Sequence, residues 1–331
     1  MAENQFMKNI AFLMPDAGDR IDPFAYFKPY LTPFGDSCLD GYRFVLNPTE
    51  GHFDGVIVPQ SVRPLSRSYN LHVPPTKTLL VYMEPPNILM LPDSYTMQFS
   101  AVLSQSKSVK AKVKLLGHSA HHWFVEIPYD DVLEKKLPKS KLLSAVISNK
   151  SDTPTHRQRF EFMKQMKAHF GERLEWRGRG VSDTGSNKLV GLADYKYHIV
   201  IENGQWDHYW SEKLADSYAA NCFPFYWGAG NISDYFPSSS MKKIDIFDVK
   251  GSLSIIEDAI LDDQFKKGQL ALQEARNLLI FKYHPYRVYP RILESLPPSN
   301  ATNITIKPHN ELRYSLRQRI SSRLGLTETP G

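Results

Sequence analysis

The densest chemistry in this sequence lies between Tyr195 and Gly230. The apolar run Tyr197–Ile201 reads as a strand whose carboxyl end delivers Glu202 and Asn203. After a short loop, Ser211 can cap a helix whose first residues are Glu212 and Lys213. Ligands of open α/β sheets bind at the carboxyl ends of strands. A helix start attracts phosphate through its free N–H groups and its dipole. Lys213 adds a full positive charge there, and Glu212 offers acceptors to ribose hydroxyls. Trp206, Tyr209 and Trp210 offer flat surfaces for a base or a sugar. Residue types alone equally allow an ordinary first-turn ion pair beside core aromatics.

Other polar residues are weaker signals. His118, His121 and His122 cluster, but no HExxH and no paired carboxylate accompanies them, and Trp123 and Phe124 suggest a strand. A loop or the rim of a site is expected there, with no metal bound. No D-x-D triplet occurs in the chain. The loop Gly178–Gly185, with Arg179 near its start, reads as a tight turn facing a ligand, a weak signal by itself.

The elements that would position these groups alternate. Ile10–Met14, Gly55–Val58, Leu79–Met83 and Ala101–Leu103 are short apolar strands of the doubly covered kind, while Lys28–Asp36 and Ser61–Thr76 read as proline-rich loops. A linker is expected at Leu133–Lys141, then a strand at Leu142–Ile147. A helix follows, with Thr155 as N-cap, Phe160, Met163, Met166 and Phe170 at helical spacing, and Gly171 as its end. Strands at Leu174–Trp176, Tyr197–Ile201 and Phe223–Tyr226 and a helix at Ser211–Ala220 complete a parallel, doubly wound pattern. Ser252–Tyr283 reads as one long helical stretch, and Glu311–Leu324 as a basic amphipathic helix.

The 331 residues suit two domains. With 42% hydrophobic and 23% charged residues, the chain belongs among globular proteins and not disordered ones. No run reaches the about 18–20 apolar residues of a membrane span, and the first residues lack a secretory signal, so a cytoplasmic protein is expected. The two cysteines, Cys38 and Cys222, have no CxxC partner and read as reduced thiols. The net charge of +5 is compatible with nucleic acid, phospholipid or phosphorylated small molecules, and charge alone does not choose among them.

Tyr195-Lys196-Tyr197, Ile201-Glu202-Asn203, Tyr209-Trp210-Ser211-Glu212-Lys213 and Pro224-Phe225-Tyr226-Trp227-Gly228 stand in the order and spacing of the fucosyltransferase motifs. Over about Val146–Asp248 the chain resembles the α1,3/α1,4-fucosyltransferase family, glycosyltransferase family 10, in its bacterial form without a membrane stem. The resemblance implies an α/β fold of two Rossmann-like domains facing across a cleft, the GT-B type. Residues 1–140 would form the acceptor-side domain and 141–285 the nucleotide-sugar domain. Residues 286–331 would be a partly helical tail packing back on the first domain.

It further implies an inverting transferase that moves fucose from GDP-fucose to a hydroxyl of an oligosaccharide, of the surface-glycan or lipopolysaccharide type. No cofactor or metal is required, and no nucleic acid is involved. The same fold with another nucleotide sugar, or a non-catalytic nucleotide- or glycan-binding protein, is the alternative. Carried over by position, the S-N segment Ser148-Asn149 leads to Arg157, which would hold the diphosphate. Asn203, Tyr209, Glu212 and Lys213 would bind the nucleotide, with Glu212 on the ribose and Lys213 on phosphate. Arg159 and Arg173 are expected on an exposed helix face. The loop Gly204-Gln205-Trp206-Asp207-His208 departs from the family's glycine/tyrosine stretch and leaves the sugar open. The family's base follows a first-domain strand near an E-S-P sequence. Here Leu79–Met83 runs into Glu84-Pro85-Pro86, so Glu84 is the candidate, with Glu126, Asp130 and Asp131 as alternatives. The arginines and leucines of Glu311–Leu324 would give peripheral contact with an anionic membrane, placing the protein at the inner face of the inner membrane.

Overall fold

The computed structural model describes residues 7–15, 38–121, 123–182 and 188–323. Lys28–Asp36, His122, the far side of the Gly178–Gly185 loop and Leu324, all singled out above, lie outside the described residues, as does the side chain of Asp130. The chain divides into two compact units. One comprises residues up to Ala120 together with those from Pro285 onward, and the other comprises His121–His284.

The first unit is built on β1 (Lys8–Phe12), β2 (Cys38–Leu39), β3 (Tyr42–Leu46), β4 (Gly55–Gln60), β5 (Tyr69–Val73), β6 (Thr78–Tyr82), α1 (Asp93–Thr96), β7 (Ala101–Ser104) and β8 (Val113–Leu116). Seven of these strands form one sheet in the order β2-β3-β1-β4-β6-β7-β8, parallel except for the β2–β3 pair. Every residue of β4, β6 and β7 is buried, which explains their unpatterned apolar sequences: both faces are covered.

The second unit contains β9 (Lys141–Val146), α2 (Pro154–Phe170), β10 (Leu174–Arg177), β11 (Tyr195–Ile201), α3 (Glu212–Ala219), β12 (Phe223–Trp227), β13 (Lys242–Lys243), α4 (Val249–Leu261), α5 (Gln264–Lys267) and α6 (Gln269–Phe281). Its sheet is wholly parallel, in the order β10-β9-β11-β12-β13. That order reverses direction between β9 and β11, and such a switch point is where doubly wound sheets bind ligands. Residues 123–132 cluster with this unit. Trp123 is fully buried, its indole N–H bonds Ile127 O at 2.8 Å, and its ring stacks on Tyr129.

The chain then returns to the first unit through α7 (Pro285–Ser295), β14 (Thr302–Ile306) and α8 (Leu316–Arg323). Tyr286 of α7 stacks on Phe44 with ring centroids 4.1 Å apart. Lys77 Nζ donates to the carbonyls of Leu293 and Leu296 at 2.8 and 2.5 Å, satisfying acceptors that a helix end leaves open. β14 pairs antiparallel with β5 and buries Ile306 beside Leu71 and Val73 in the unit's core.

Several local expectations are corrected. Ser61–Thr76 is not all loop, because β5 lies inside it and finds its partner 230 residues downstream. The N-cap of α2 is Thr153 and not Thr155. Its hydroxyl accepts from His156 N at 3.1 Å, and Pro154 takes the first helical position, where its missing N–H costs nothing. The stretch Ser252–Tyr283 is three helices, broken where Asp263 adopts φ +46°, a left-handed backbone that aspartate tolerates better than most residues. The terminal helix starts at Leu316, not Glu311, because residues 309–311 form a separate turn and Leu312 packs on the first unit's core.

Candidate functional site

The carboxyl ends of β9 and β11 carry the candidate site. Beyond β9 the chain turns through Ser148–Thr153 into α2. This turn is backed by Gly178-Arg179-Gly180: Asn149 N donates to Arg179 O at 3.1 Å, and a Cβ on Gly180, whose φ is +78°, would lie 2.1 Å from the Asn149 side chain. The tight glycine turn therefore supports the segment that leads to the α2 start.

Beyond β11 comes Glu202, fully buried. One carboxylate oxygen accepts from Ser211 N at 2.8 Å and the other from Ser211 Oγ at 2.5 Å. Ser211 in turn caps α3, accepting from Lys213 N. Lys213 Nζ lies 3.1 Å from Ser211 Oγ, 3.3 Å from Glu212 and 3.5 Å from Glu202. Burial raises the Glu202 carboxyl pKa, with Lys213 and the Ser211 bonds working against it. Gly228 closes the far side, since a Cβ there would come within 2.3 Å of Tyr226 Oη and 2.6 Å of Glu202 Cγ. This contact gives the Tyr226-Trp227-Gly228 sequence its physical reason.

Glu212 stands among two lysines and a histidine: Lys213, Lys188 at 3.7 Å and His121 at 3.9 Å. Burial works to raise its pKa, yet Lys213, Lys188 and His121 together hold it well below the usual carboxylate range. Lys188 also bonds Asp216 at 3.1 Å and lies over the Phe124 ring at 4.8 Å. Asp216 is buried and receives the backbone N–H groups of Phe124 and, at 2.9 Å, Val125. Burial pushes its pKa up, and Lys188 opposes the rise. The cluster thus pins Phe124 and Val125 beside α3, with His121 near Glu212 at its start. A small cavity bounded by Val146, Ile147, Lys188, Lys213 and Asp216 lies beside it.

The six residues singled out from the sequence fall as follows. Asn203, Tyr209, Glu212 and Lys213 gather at the end of β11 and the start of α3. Arg157 sits in the first turn of α2, exposed, with Nη1 donating to Ser151 O at 2.9 Å. Glu84 lies in the first unit just past β6, half-buried, where the turn is closed by Ile88 and Leu89 N–H groups bonding Pro85 O at 2.9 and 3.0 Å. Of the alternative carboxylates, Glu126 and Asp131 are exposed and belong to the second unit.

Two expectations fail here. Arg159 is not on a solvated face: it is 4% exposed and donates from Nη1 to Asn203 Oδ1 at 2.8 Å. The helical stripe Phe162, Met163, Met166 and Phe170 is buried, and Arg159 is three and four residues before its first members, a signal that was present in the sequence. The rings of Trp206, Tyr209 and Trp210 are not open platforms: all three are buried, and Trp210 packs edge-on against Phe236 and Tyr283. Lys188 and Asp216 carried no local signal and were missed. Among the described residues no group of three or more His, Cys, Asp or Glu could hold a metal.

Two units, each built on a largely parallel α/β sheet, are the architecture of a GT-B-like fold. Residues 136–258 match the family model described as glycosyltransferase family 10 (fucosyltransferase) C-term. It is 33% identical over 61 residues to the alpha-(1,3)-fucosyltransferase FucT of Helicobacter pylori. That match covers 18% of this chain and 13% of the length of that relative. A crystal structure of an alpha1,3-fucosyltransferase superposes with a TM-score of 0.50 at 16% identity, covering 86% of this chain and 94% of the other, a likeness of fold.

Proposed function

We propose that this chain is an inverting fucosyltransferase that moves fucose from GDP-fucose to a hydroxyl of an oligosaccharide acceptor of the surface-glycan or lipopolysaccharide type. The observation that carries the reading is the Glu202–Ser211–Lys213 arrangement at the start of α3, inside the stretch that matches the family 10 domain. In this reading Lys213, the N–H groups of α3 and Arg157 take the diphosphate, Glu212 takes the ribose hydroxyls, and Asn203 and Tyr209 complete the nucleotide site. The negative charge that develops on the departing GDP is met by these fixed cations and dipoles, and the reading calls for no cofactor. Glu84 accepts the proton of the attacking acceptor hydroxyl, and attack opposite the leaving group inverts the anomeric carbon.

A panel of GDP, GDP-fucose, GDP-mannose and UDP-glucose in thermal unfolding tests the donor, since a ligand of the folded state raises its melting temperature. Stabilisation by GDP and GDP-fucose, followed by fucose transfer to an oligosaccharide panel, is the expected result. Stabilisation by UDP-glucose alone, or by none of the four, would overturn the assignment.

A further inference from the structure

Arg159 is a buried cation with a specific task still to be assigned. It projects from the inward stripe of α2, next to His156, and makes its hydrogen bond to a side chain that reaches the surface of the site, the half-buried Asn203. Burial lowers its pKa, against the fields of Glu202, Tyr209 and Glu212, and among the described residues its Nε has no hydrogen-bond partner. A guanidinium has five donors and no acceptor, so the partner of Nη1 must be the carbonyl oxygen of the Asn203 amide. That removes the usual ambiguity of an amide side chain: with Oδ1 held at 2.8 Å by Arg159, Nδ2 occupies the other branch of the amide as a donor. Turned the other way, the amide would set two donors against each other in a buried place, an arrangement that costs the full desolvation of both.

We propose that Arg159 is a positioning residue for the nucleotide site: it locks the Asn203 amide so that its N–H donor, and not its carbonyl, is presented to bound GDP. This rests on the GDP-fucose reading above and adds a residue that acts through Asn203 without touching the ligand. It also makes a distinction that a packing role would not. If Arg159 only filled space and balanced charge, its loss would lower stability whatever stood at position 203. If it orients Asn203, its effect on GDP binding disappears once the asparagine is gone.

The test is calorimetric titration of the full chain with GDP, alongside thermal melts, for Arg159→Gln, Asn203→Ala, their combination, Asn203→Asp and Arg159→Lys. Each of the first two is expected to weaken GDP binding about tenfold, with the double variant no weaker than the worse single, because residues in one hydrogen-bond network are not additive. Asn203→Asp keeps an acceptor for Arg159 but loses the N–H donor, so it is expected to melt as the parent does and to bind GDP at least about tenfold more weakly. Arg159→Lys, which retains a donor, should recover part of the loss. The inference alone is overturned if Arg159→Gln binds GDP as the parent does, or if the two losses multiply to about a hundredfold in the double variant. Should Arg159→Gln fail to fold, Asn203→Asp decides the matter, parent-like GDP affinity overturning the inference. If the unaltered protein does not bind GDP, the donor reading falls and this inference with it.

Discussion

Glu202 holds Ser211 twice, through its backbone N–H at 2.8 Å and its hydroxyl at 2.5 Å, and so ties the end of β11 to the cap of α3. A fully buried carboxylate in this position sets where the helix begins and where Lys213 stands. Replacing it by alanine leaves Ser211 N and Lys213 without that partner in the interior. The expected cost is about 3–5 kcal/mol of folding stability, the range for breaking a buried pair by removing one member. Urea denaturation of Glu202→Ala checks it, and a loss within the error of the parent would remove this role.

Lys213→Ala and Arg157→Ala should each weaken GDP binding by about 2–4 kcal/mol, through loss of a charge-assisted bond to phosphate. Arg157 is exposed and bonds a neighbouring carbonyl, so its replacement should leave the melting temperature near the parent's. Calorimetry with GDP reads both, and parent-like affinity in the two variants would end the diphosphate assignment.

Glu84→Gln keeps size and shape but cannot accept a proton. GDP binding and the melting temperature should be retained, while turnover at saturating acceptor falls about 10²–10⁴-fold. If turnover is unchanged, Glu126, Asp130 and Asp131 are the next carboxylates to replace.

Lys213, Lys188 and His121 around Glu212 make its contribution to stability depend on pH. The folded carboxyl titrates below the unfolded one, so the folded state holds that proton less tightly. Its stabilisation is complete above the ordinary carboxylate range, about pH 4–5, and is lost as pH falls toward the depressed folded value. Glu212→Gln should therefore be less stable than the parent at pH 7, with the gap closing as denaturation is repeated at progressively lower pH. A gap independent of pH would contradict the electrostatic account.

The membrane contact expected of the tail can be tested without removing it. Leu316 is 71% and Ile320 48% exposed on α8, with Arg313, Arg317 and Arg319 exposed around them, while Gln318 anchors the helix by bonding Leu91 O at 2.8 Å. We expect co-sedimentation with anionic vesicles at low salt, weakening at high salt, because each basic residue near such a surface adds about 1 kcal/mol and is screened. The double variant Leu316→Ser, Ile320→Ser should sediment less. Equal sedimentation of parent and variant, or none at low salt, would leave the tail as part of the fold. Among the described residues no helix is long and apolar enough to cross a membrane.

Features governed by neighbours along the chain were legible in the sequence. The central strands of both sheets showed as apolar runs because strands covered on both faces have no polar side to display. Ser211, with Glu202 and Lys213 nearby, marked a helix start because capping is a short-range hydrogen-bond requirement. The motif spacing from Tyr195 to Gly228 survived because those residues sit on one strand–loop–helix–strand unit. What depended on distant parts of the chain had no local trace. β5 looks like loop in the sequence because its partner β14 lies about 230 residues on, and Lys188 and Asp216 join the site only where Phe124 and Val125 fold against α3. Arg157 and Arg159 stand on both sides of the division: residue type does not rank them, the spacing of Arg159 from Phe162 and Met163 puts it on the apolar stripe, and only the fold shows that Asn203 is its partner. Tertiary packing buried one against Asn203 and left the other at the surface, because the face a helix turns inward is decided by the apolar surface it must cover.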